Sequence, residues 1–311
     1  MPYFCSSKYY KTMEQIIKPT KYIDPMVDVA FKLIFGTEKN KHLTKKLLEQ
    51  VFKLSITSLS FVNVEHHGMS LEDRNAVFDL QCESEQLGQF LVEVQFKPQE
   101  NIRDRALFYS SYPILEQAPA GKWNYSLKPV FFLGILNFKL PDTNPDTFVH
   151  RYSILDEETL VPMTKSVRYV FMEAGPFNKP YNECKTFEDK FLFFLKNLPT
   201  FVSKPDTHSE PYFEDLLKAA EYLKMDKPMR TEYDVRLKIL RDNYSAEQYL
   251  INHTLKEGME KGMKEGMEKG MEKGMEKGKL EDAKGMLAKG YPVQDIVDIT
   301  GLPLEKIEAL K

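Results

Sequence analysis

The chain has 311 residues, of which 42% are hydrophobic and 29% are charged, and its formal net charge is −3. This length and composition indicate a globular protein with one large domain or two ordinary ones. The charge argues against a strongly basic coat for nucleic acid, although it is compatible with a local basic groove.

The cysteines and the apolar segments predict a cytoplasmic protein. Cys5, Cys82 and Cys184 are far apart and odd in number, so they form neither a disulfide framework nor a zinc-ligand spacing. No window approaches about 20 apolar residues, so we expect no membrane span. Residues 1–20 lack an apolar run of signal-peptide length and are expected to be a disordered lead.

The next part of the chain predicts a mixed sheet flanked by helices. A first helix is expected to start at Asp24-Pro25 and to end at Gly36, and an amphipathic helix follows it. Three strands, a helix ending near Pro119 and a buried strand over 127–138 come next. This order predicts an α/β fold.

Helical patterns dominate the second half, after two or three more strands in residues 146–175. The last segment contains "DIVDITGLPLEKIEAL", a helix-turn-helix pattern that predicts either a small packing cap or a DNA-reading element. Little positive charge lies near its second helix, which favours the cap. We expect these segments: a folded domain over 21–175, a helical extension over 176–256, a Gly-Met-Glu-Lys repeat over 257–279 and a helical tail over 280–311.

The repeat places glycine at every fourth position from Gly258 to Gly278. Each glycine costs about 1 kcal/mol in a helix, so a lone helix here is expected to be marginal. Glycines at this spacing also let two helices approach closely, as in a coiled coil. The repeat therefore predicts either a self-associating helix that makes a homo-oligomer or a flexible charged spacer.

A tight β-hairpin over 76–96 carries the main candidate site. If the hairpin is symmetric about Gln86, Asp79 lies directly opposite Glu93. Directly opposed side chains have Cβ atoms roughly 4.5–5.5 Å apart, so the two carboxylates repel each other. A divalent cation offsets that repulsion, and Mg²⁺ prefers one or two carboxylates plus waters and phosphate oxygens.

Residue alternation assigns the hairpin side chains to two faces. Phe78, Leu80 and Cys82 share a face that packs into the core, whereas Asp79, Glu93 and Gln95 gather on the other face. A solvated sheet face has the same alternation. The pattern alone therefore leaves a metal site and a plain polar surface open.

The stretch "VFDLQCESEQLGQFLVEVQ" resembles the Asp…Glu-x-Gln signature of the PD-(D/E)XK nuclease superfamily. More narrowly, it resembles the Rpn (recombination-promoting nuclease), or PD-(D/E)XK family transposase, group. The resemblance covers roughly residues 22–140, and the C-terminal repeat also recurs in such proteins. The supporting pieces are "DVAFKLIFG", "NVE", "RALFYSSYPILEQ" and "LKPVFFLGILNF".

This resemblance implies a restriction-endonuclease-like core and a metal-dependent DNA endonuclease acting in recombination, mobile-element biology or defence. Mg²⁺ or Mn²⁺ would be bound by Asp79 and Glu93, where it would polarise a phosphate oxygen and activate a water. Gln95 would hold that water. Gln95 stands where the superfamily often has lysine, and a neutral amide can only form hydrogen bonds.

Further site residues are expected on the flanking helices. Asp28 stands where the resemblance implies a further acidic residue of the site, or it is simply a helix cap. Arg105 and Tyr109 match the group's Arg…Tyr pattern and either contact phosphate, order Glu93, or simply pack on the sheet. Lys32, with Lys39, Lys41, Lys45 and Lys46, either steers DNA or forms a solvated helix face.

Four other polar residues complete the candidates. Glu65 is a possible neighbour of the metal ligands, Glu49 is expected to be solvent-exposed, and His66 and His67 are expected to be plain loop residues. An alternative function also stays open. The chain would keep the nuclease fold without catalysis and would act as a binding or oligomerisation partner through the repeat and tail.

Overall fold

The computed structural model of the chain describes residues 21–62, 78–119, 121–205 and 210–310. Its strands are β1 Ser60–Phe61, β2 Leu80–Ser84, β3 Gly88–Gln95, β4 Val130–Leu136, β5 Val149–Tyr152 and β6 Val167–Glu173. Its helices are α1 Asp28–Phe35, α2 Lys41–Phe52, α3 Ile102–Leu115, α4 Phe187–Asn197, α5 Pro211–Ala219, α6 Lys227–Ala288, α7 Val293–Thr300 and α8 Leu304–Glu308.

The strands of the described residues form one mixed sheet in the order β1-β2-β3-β4-β6-β5. Strands β3, β4 and β6 are parallel, and antiparallel strands lie on both sides of this block. The predicted α/β fold, a mixed sheet flanked by helices, is confirmed. Because β3, β4 and β6 run in the same direction, their carboxyl ends meet at one edge of the sheet.

Helix α1 begins four residues later than predicted. Asp24 Oδ1 accepts a hydrogen bond from the backbone N–H of Met26 at 2.9 Å, which makes a turn before the helix. Val27 then has extended backbone, and the helix starts at Asp28. The predicted end at Gly36 is confirmed.

The hairpin has the register that its symmetry predicts. Leu80 pairs with Val92 and Ser84 pairs with Gly88, so the centre of the hairpin is Gln86. Gly88 has a φ of +94°, and a Cβ there would lie 2.1 Å from the carbonyl oxygen of Pro129. Only glycine fits this turn. Other residues rarely adopt a positive φ, and their Cβ would clash with the backbone of Pro129, which directly precedes β4.

Both faces of the sheet are covered, which corrects the expected division into a core face and a polar face. Leu91 is fully buried on the same face as Glu93, in a cluster with Ala106 of α3. Phe78 also packs on this α3 side, at 5.7 Å from the Tyr109 ring, and not beside Leu80. It lies before β2, where strict strand alternation does not apply.

The opposite face packs against helices α1 and α2. Phe52 of α2 contacts the rings of Phe90 and Phe131, with ring centres 5.9 and 5.1 Å apart. Leu80 points toward Gly36 at the end of α1. Glu93 therefore lies on a packed face of the sheet and not on a polar surface.

The described residues divide into two compact units, one up to Ile239 and the other from Leu240 onward. Helix α6 runs without a break through positions 256 and 279, so the whole Gly-Met-Glu-Lys repeat is helical. The structure therefore has the helix and not the flexible spacer. The five predicted segments and their boundaries stay predictions.

The tail forms a small cluster at the end of α6, within the second unit. Helices α7 and α8 are joined by a turn at Gly301, which has a φ of +65°. Ala283, Ile296, Leu302 and Ile307 are buried together. This packing agrees with the predicted cap. Within the described residues, no helix combines the length and the hydropathy that crossing a membrane requires.

Candidate active site

Seven predicted residues converge at the open end of the hairpin, between α1 and α3. Hydrogen bonds, ring contacts and electrostatic interactions connect them in one group, which we term the carboxylate cluster. Its members are Asp28, Lys32, Asp79, Glu93, Gln95, Arg105 and Tyr109.

Asp79 lies one residue before β2 and is held by the opposite arm of the hairpin. Its Oδ2 accepts a hydrogen bond from the backbone N–H of Val94 at 2.7 Å. Burial raises the pKa of the Asp79 carboxyl, and the charge of Asp28 raises it further. The Val94 N–H and the charges of Lys32 and Arg105 act in the opposite direction.

Glu93 lies on β3 and is almost fully buried, with 4% of its surface exposed. Its Oε1 accepts hydrogen bonds from Gln95 Nε2 and Arg105 Nη2, both at 2.7 Å. Its Oε2 is buried and has no hydrogen-bond partner among the described residues. Burial raises the pKa of Glu93 to about 7, and the charge of Asp79 contributes to this increase.

Arg105 and Tyr109 lie one turn apart on α3. Besides Glu93, the Arg105 guanidinium donates to Gln99 Oε1 at 2.9 Å, and its centre lies 4.9 Å from the centroid of the Tyr109 ring. Tyr109 in turn packs edge-on against Phe78. Of the alternatives left open, ordering of Glu93 agrees with the Arg105 contacts, and packing on the sheet agrees with the Tyr109 contacts.

Asp28 and Lys32 lie one turn apart on α1. Both charges act on Asp79, and the Lys32 charge also acts on Glu93. Asp28 is not the cap of its helix, because Val27 occupies that position and forms no capping hydrogen bond with its side chain. The Asp28 carboxylate also faces Arg236 of α6 at 3.9 Å, a neighbour that sequence reasoning missed.

The lysines after α1 are partly engaged in local contacts. Lys41 pairs with Glu38 and lies over the Phe61 ring, and Lys45 donates to the carbonyl oxygen of Thr57 at 3.5 Å. Lys39 and Lys46 are exposed. The steering role and the solvated helix face both stay predictions for this group.

One secondary prediction is wrong and three lie outside the described residues. Glu49 is half-buried, and its Oε1 accepts a hydrogen bond from the backbone N–H of Ile56 at 3.0 Å. It stabilises the chain after α2 and is not simply exposed. Glu65, His66 and His67 fall in the part of the chain that the structure does not describe.

The donors of the carboxylate cluster fit a hard divalent cation. Glu93 Oε2 is a buried oxygen that accepts no hydrogen bond from any described residue, and Asp79 supplies a second carboxylate. No group of three or more His, Cys, Asp or Glu side chains is placed to hold a metal within the described residues. One or two carboxylates, completed by waters and phosphate oxygens, are nevertheless the usual protein ligands of Mg²⁺.

Comparison with known proteins identifies one family. The model of the PD-(D/E)XK nuclease family transposases matches residues 25–249, which is more than half of the chain. The match spans every member of the carboxylate cluster. No curated protein and no solved structure matches the chain.

Proposed function

This chain belongs to the PD-(D/E)XK nuclease family transposases, and from that premise we propose that it is a metal-dependent DNA endonuclease. It would hydrolyse phosphodiester bonds in recombination, mobile-element movement or defence. The observation that carries the proposal is the buried Glu93 Oε2, which lies near the second carboxylate of Asp79 and has no hydrogen-bond partner in the part of the chain that the structure describes.

Asp79 and Glu93 would hold the metal, with Asp28 as a further acidic group at the rim. When bound, Mg²⁺ or Mn²⁺ supplies a Lewis acid and lowers the pKa of a coordinated water. The Val94 N–H and the Gln95 amide fix the orientation of the two carboxylates through hydrogen bonds of 2.7 Å. Hydrogen bonds of this kind preorganise the ligands of a metal site.

Gln95 would also orient the attacking water, because its amide carries both donors and an acceptor. The cationic partner that lysine provides elsewhere in the superfamily would come here from Arg105, which contacts Glu93 directly. Arg105 favours the ionised form of Glu93, which is the form that binds a cation.

DNA is the proposed substrate, and Lys32 and Arg105 are its proposed contacts in the cluster. Lys32 is exposed on α1, and the Arg105 side chain is 32% exposed. A flexible ammonium and a planar guanidinium are both suited to phosphate oxygens.

Nicking of supercoiled plasmid tests the proposal. Wild-type protein is expected to nick DNA with Mg²⁺ or Mn²⁺ and to stop with EDTA, and Asp79→Ala and Glu93→Ala should abolish nicking. Asp104→Ala, an exposed acidic residue in the first turn of α3, is a matched control that should retain activity. Equal nicking by all four proteins would contradict the proposal.

The second candidate is a catalytically silent partner protein. It is favoured by the two hydrogen bonds that Gln95 and Arg105 donate to Glu93 Oε1, because they already satisfy one oxygen of this carboxylate. Its self-association would use the repeat in α6. Absence of nicking together with oligomers that require residues 257–279, measured by light scattering, would support this candidate.

A further inference from the structure

The beginning of α6 is attached to the segment that precedes the candidate site. The backbone N–H of Asp24 donates to the hydroxyl of Tyr233 at 2.9 Å, and Tyr233 is 5% exposed. Just before α6, the backbone N–H of Ile23 donates to the carbonyl oxygen of Ala220 at 2.9 Å. These contacts fix the position of α6 where it passes the start of α1.

Arg236 lies three residues after Tyr233, on the same side of α6, since residues three apart are neighbours on a helix. Its Nη2 is 3.9 Å from Asp28 Oδ2, which is too long for a hydrogen bond. Asp28 in turn acts on the charge of Asp79. Helix α6 therefore brings a guanidinium to the rim of the carboxylate cluster.

The Arg236 side chain is 53% exposed and Asp28 is 41% exposed. An exposed ion pair of this kind is worth about 0–1 kcal/mol, so Arg236 can leave Asp28 at little cost. A guanidinium released in this way can form two parallel hydrogen bonds with a phosphate.

The charges around the cluster favour an anionic substrate once Arg236 is included. Asp28, Asp79 and Glu93 are opposed by three cations: Lys32, Arg105 and Arg236. Arg236 therefore cancels a negative excess that would repel phosphate even before a metal binds. Arg236 and Lys32 are also exposed to solvent, where a phosphate can reach them.

We propose that Arg236 is a phosphate-binding residue of the site, supplied by α6, which Asp28 holds in the absence of DNA and releases to the DNA backbone. This inference rests on the proposed function for its choice of substrate. It adds to the proposed DNA-binding surface a residue that lies outside the sheet and outside helices α1 and α3.

The test is the salt dependence of DNA binding by the full chain. Binding of a short fluorescent duplex is measured by anisotropy with EDTA present, so that the DNA stays intact. Loss of one phosphate contact lowers the slope of log Kd against log salt concentration by about 0.9. Arg236→Gln should show this loss, and Arg236→Lys should restore most of the slope.

Lys238→Gln is the matched control. Lys238 is an exposed cation two residues further along α6, about 200° around the helix from Arg236. Its removal should leave the slope at the wild-type value. Thermal unfolding midpoints equal to that of the wild type would exclude misfolding as the cause of a change.

Equal slopes for Arg236→Gln and Lys238→Gln would overturn the inference, and so would a wild-type chain that does not bind DNA. Loss of the slope only in Arg236→Gln supports it. Binding that depends on Arg236 in a protein that never nicks plasmid would support the inference and contradict only the proposed endonuclease activity.

Discussion

The guanidinium of Arg105 lies 2.7 Å from the buried Oε1 of Glu93 and forms an ion pair between α3 and the central strand β3. Glu93 is 5% exposed at its side chain, whereas Arg105 is 32% exposed. The pair therefore joins an interior carboxylate to a cation that also reaches solvent. Its removal is therefore expected to lower stability.

Arg105→Ala is expected to lower the free energy of unfolding by about 2 kcal/mol near pH 8, because it leaves a buried charge without its partner. Urea denaturation measures the loss. In a Glu93→Gln background the same substitution should cost about 1 kcal/mol less, since the charge is no longer present. Equal costs in both backgrounds would show that the ion pair contributes nothing to stability.

The raised pKa of Glu93 predicts how stability changes with pH. Between pH 4.5 and about 7 the folded state binds more protons at Glu93 than the unfolded state, so stability falls as pH rises. Relative to Glu93→Gln, the wild type should lose about 3 kcal/mol across this window. The raised pKa of Asp79 acts with the same sign in both proteins.

The measurement is urea denaturation of both proteins in EDTA at several pH values. Using the difference between them cancels the contributions of other carboxyls, such as Glu188, whose pKa is lowered. A constant difference from pH 4.5 to 7 would contradict a raised pKa for Glu93.

Metal should offset part of this loss of stability, because a divalent cation binds the ionised carboxylates. At ten times its dissociation constant, Mg²⁺ or Mn²⁺ should stabilise the wild type by about 1.4 kcal/mol. Asp79→Asn and Glu93→Gln should lose this stabilisation, and Asp104→Asn should keep it. Thermal unfolding with and without metal provides the comparison, and equal shifts in all variants would indicate nonspecific binding.

Gly134 is expected to be intolerant of a side chain. It lies on β4 in register with Glu93 on β3 and Phe171 on β6. A Cβ at this position would lie 2.6 Å from Cδ1 of Phe171. Gly134→Ala should cost about 1–3 kcal/mol in urea denaturation, because the aromatic ring has to move within a packed core.

Alanine in place of glycine in the repeat is expected to stabilise the protein, in contrast to Gly134→Ala. A Cβ added at Gly262 or Gly270 would have no neighbour within 4 Å among the described residues. Alanine at these positions should stabilise helix α6 locally by up to about 1 kcal/mol each. The helical circular dichroism signal should then persist to higher temperature, and an unchanged melting curve would contradict a helical repeat.

Local sequence patterns were sufficient to predict the register of the hairpin but not the packing around it. The two alternating arms and the turn at Gly88 determine a register centred on Gln86, because a slip of one residue would exchange the two faces. The same alternation failed for Phe78, which precedes the strand. It also gave no indication that α3 covers the face that carries Glu93.

Contacts between distant parts of the chain explain the remaining differences. Glu49 was judged by its angle on a helix, whereas its partner is the backbone of Ile56 after the helix ends. Arg236 is in an ordinary charged stretch, and contacts between distant segments bring it to Asp28, among them the hydrogen bond between Asp24 and Tyr233, 209 positions apart. A single sequence contains no local signal for such pairs.

The reactivity of the Cys82 thiol can be used to measure how often the hairpin opens. It is fully buried on β2, and burial raises its pKa to about 12, so it is almost entirely protonated in the closed state. Thiol reagents react with the thiolate. In a chain that lacks Cys5 and Cys184, the rate of Cys82 labelling would therefore report how often β2 and β3, the strands next to Asp79 and containing Glu93, separate from their neighbours.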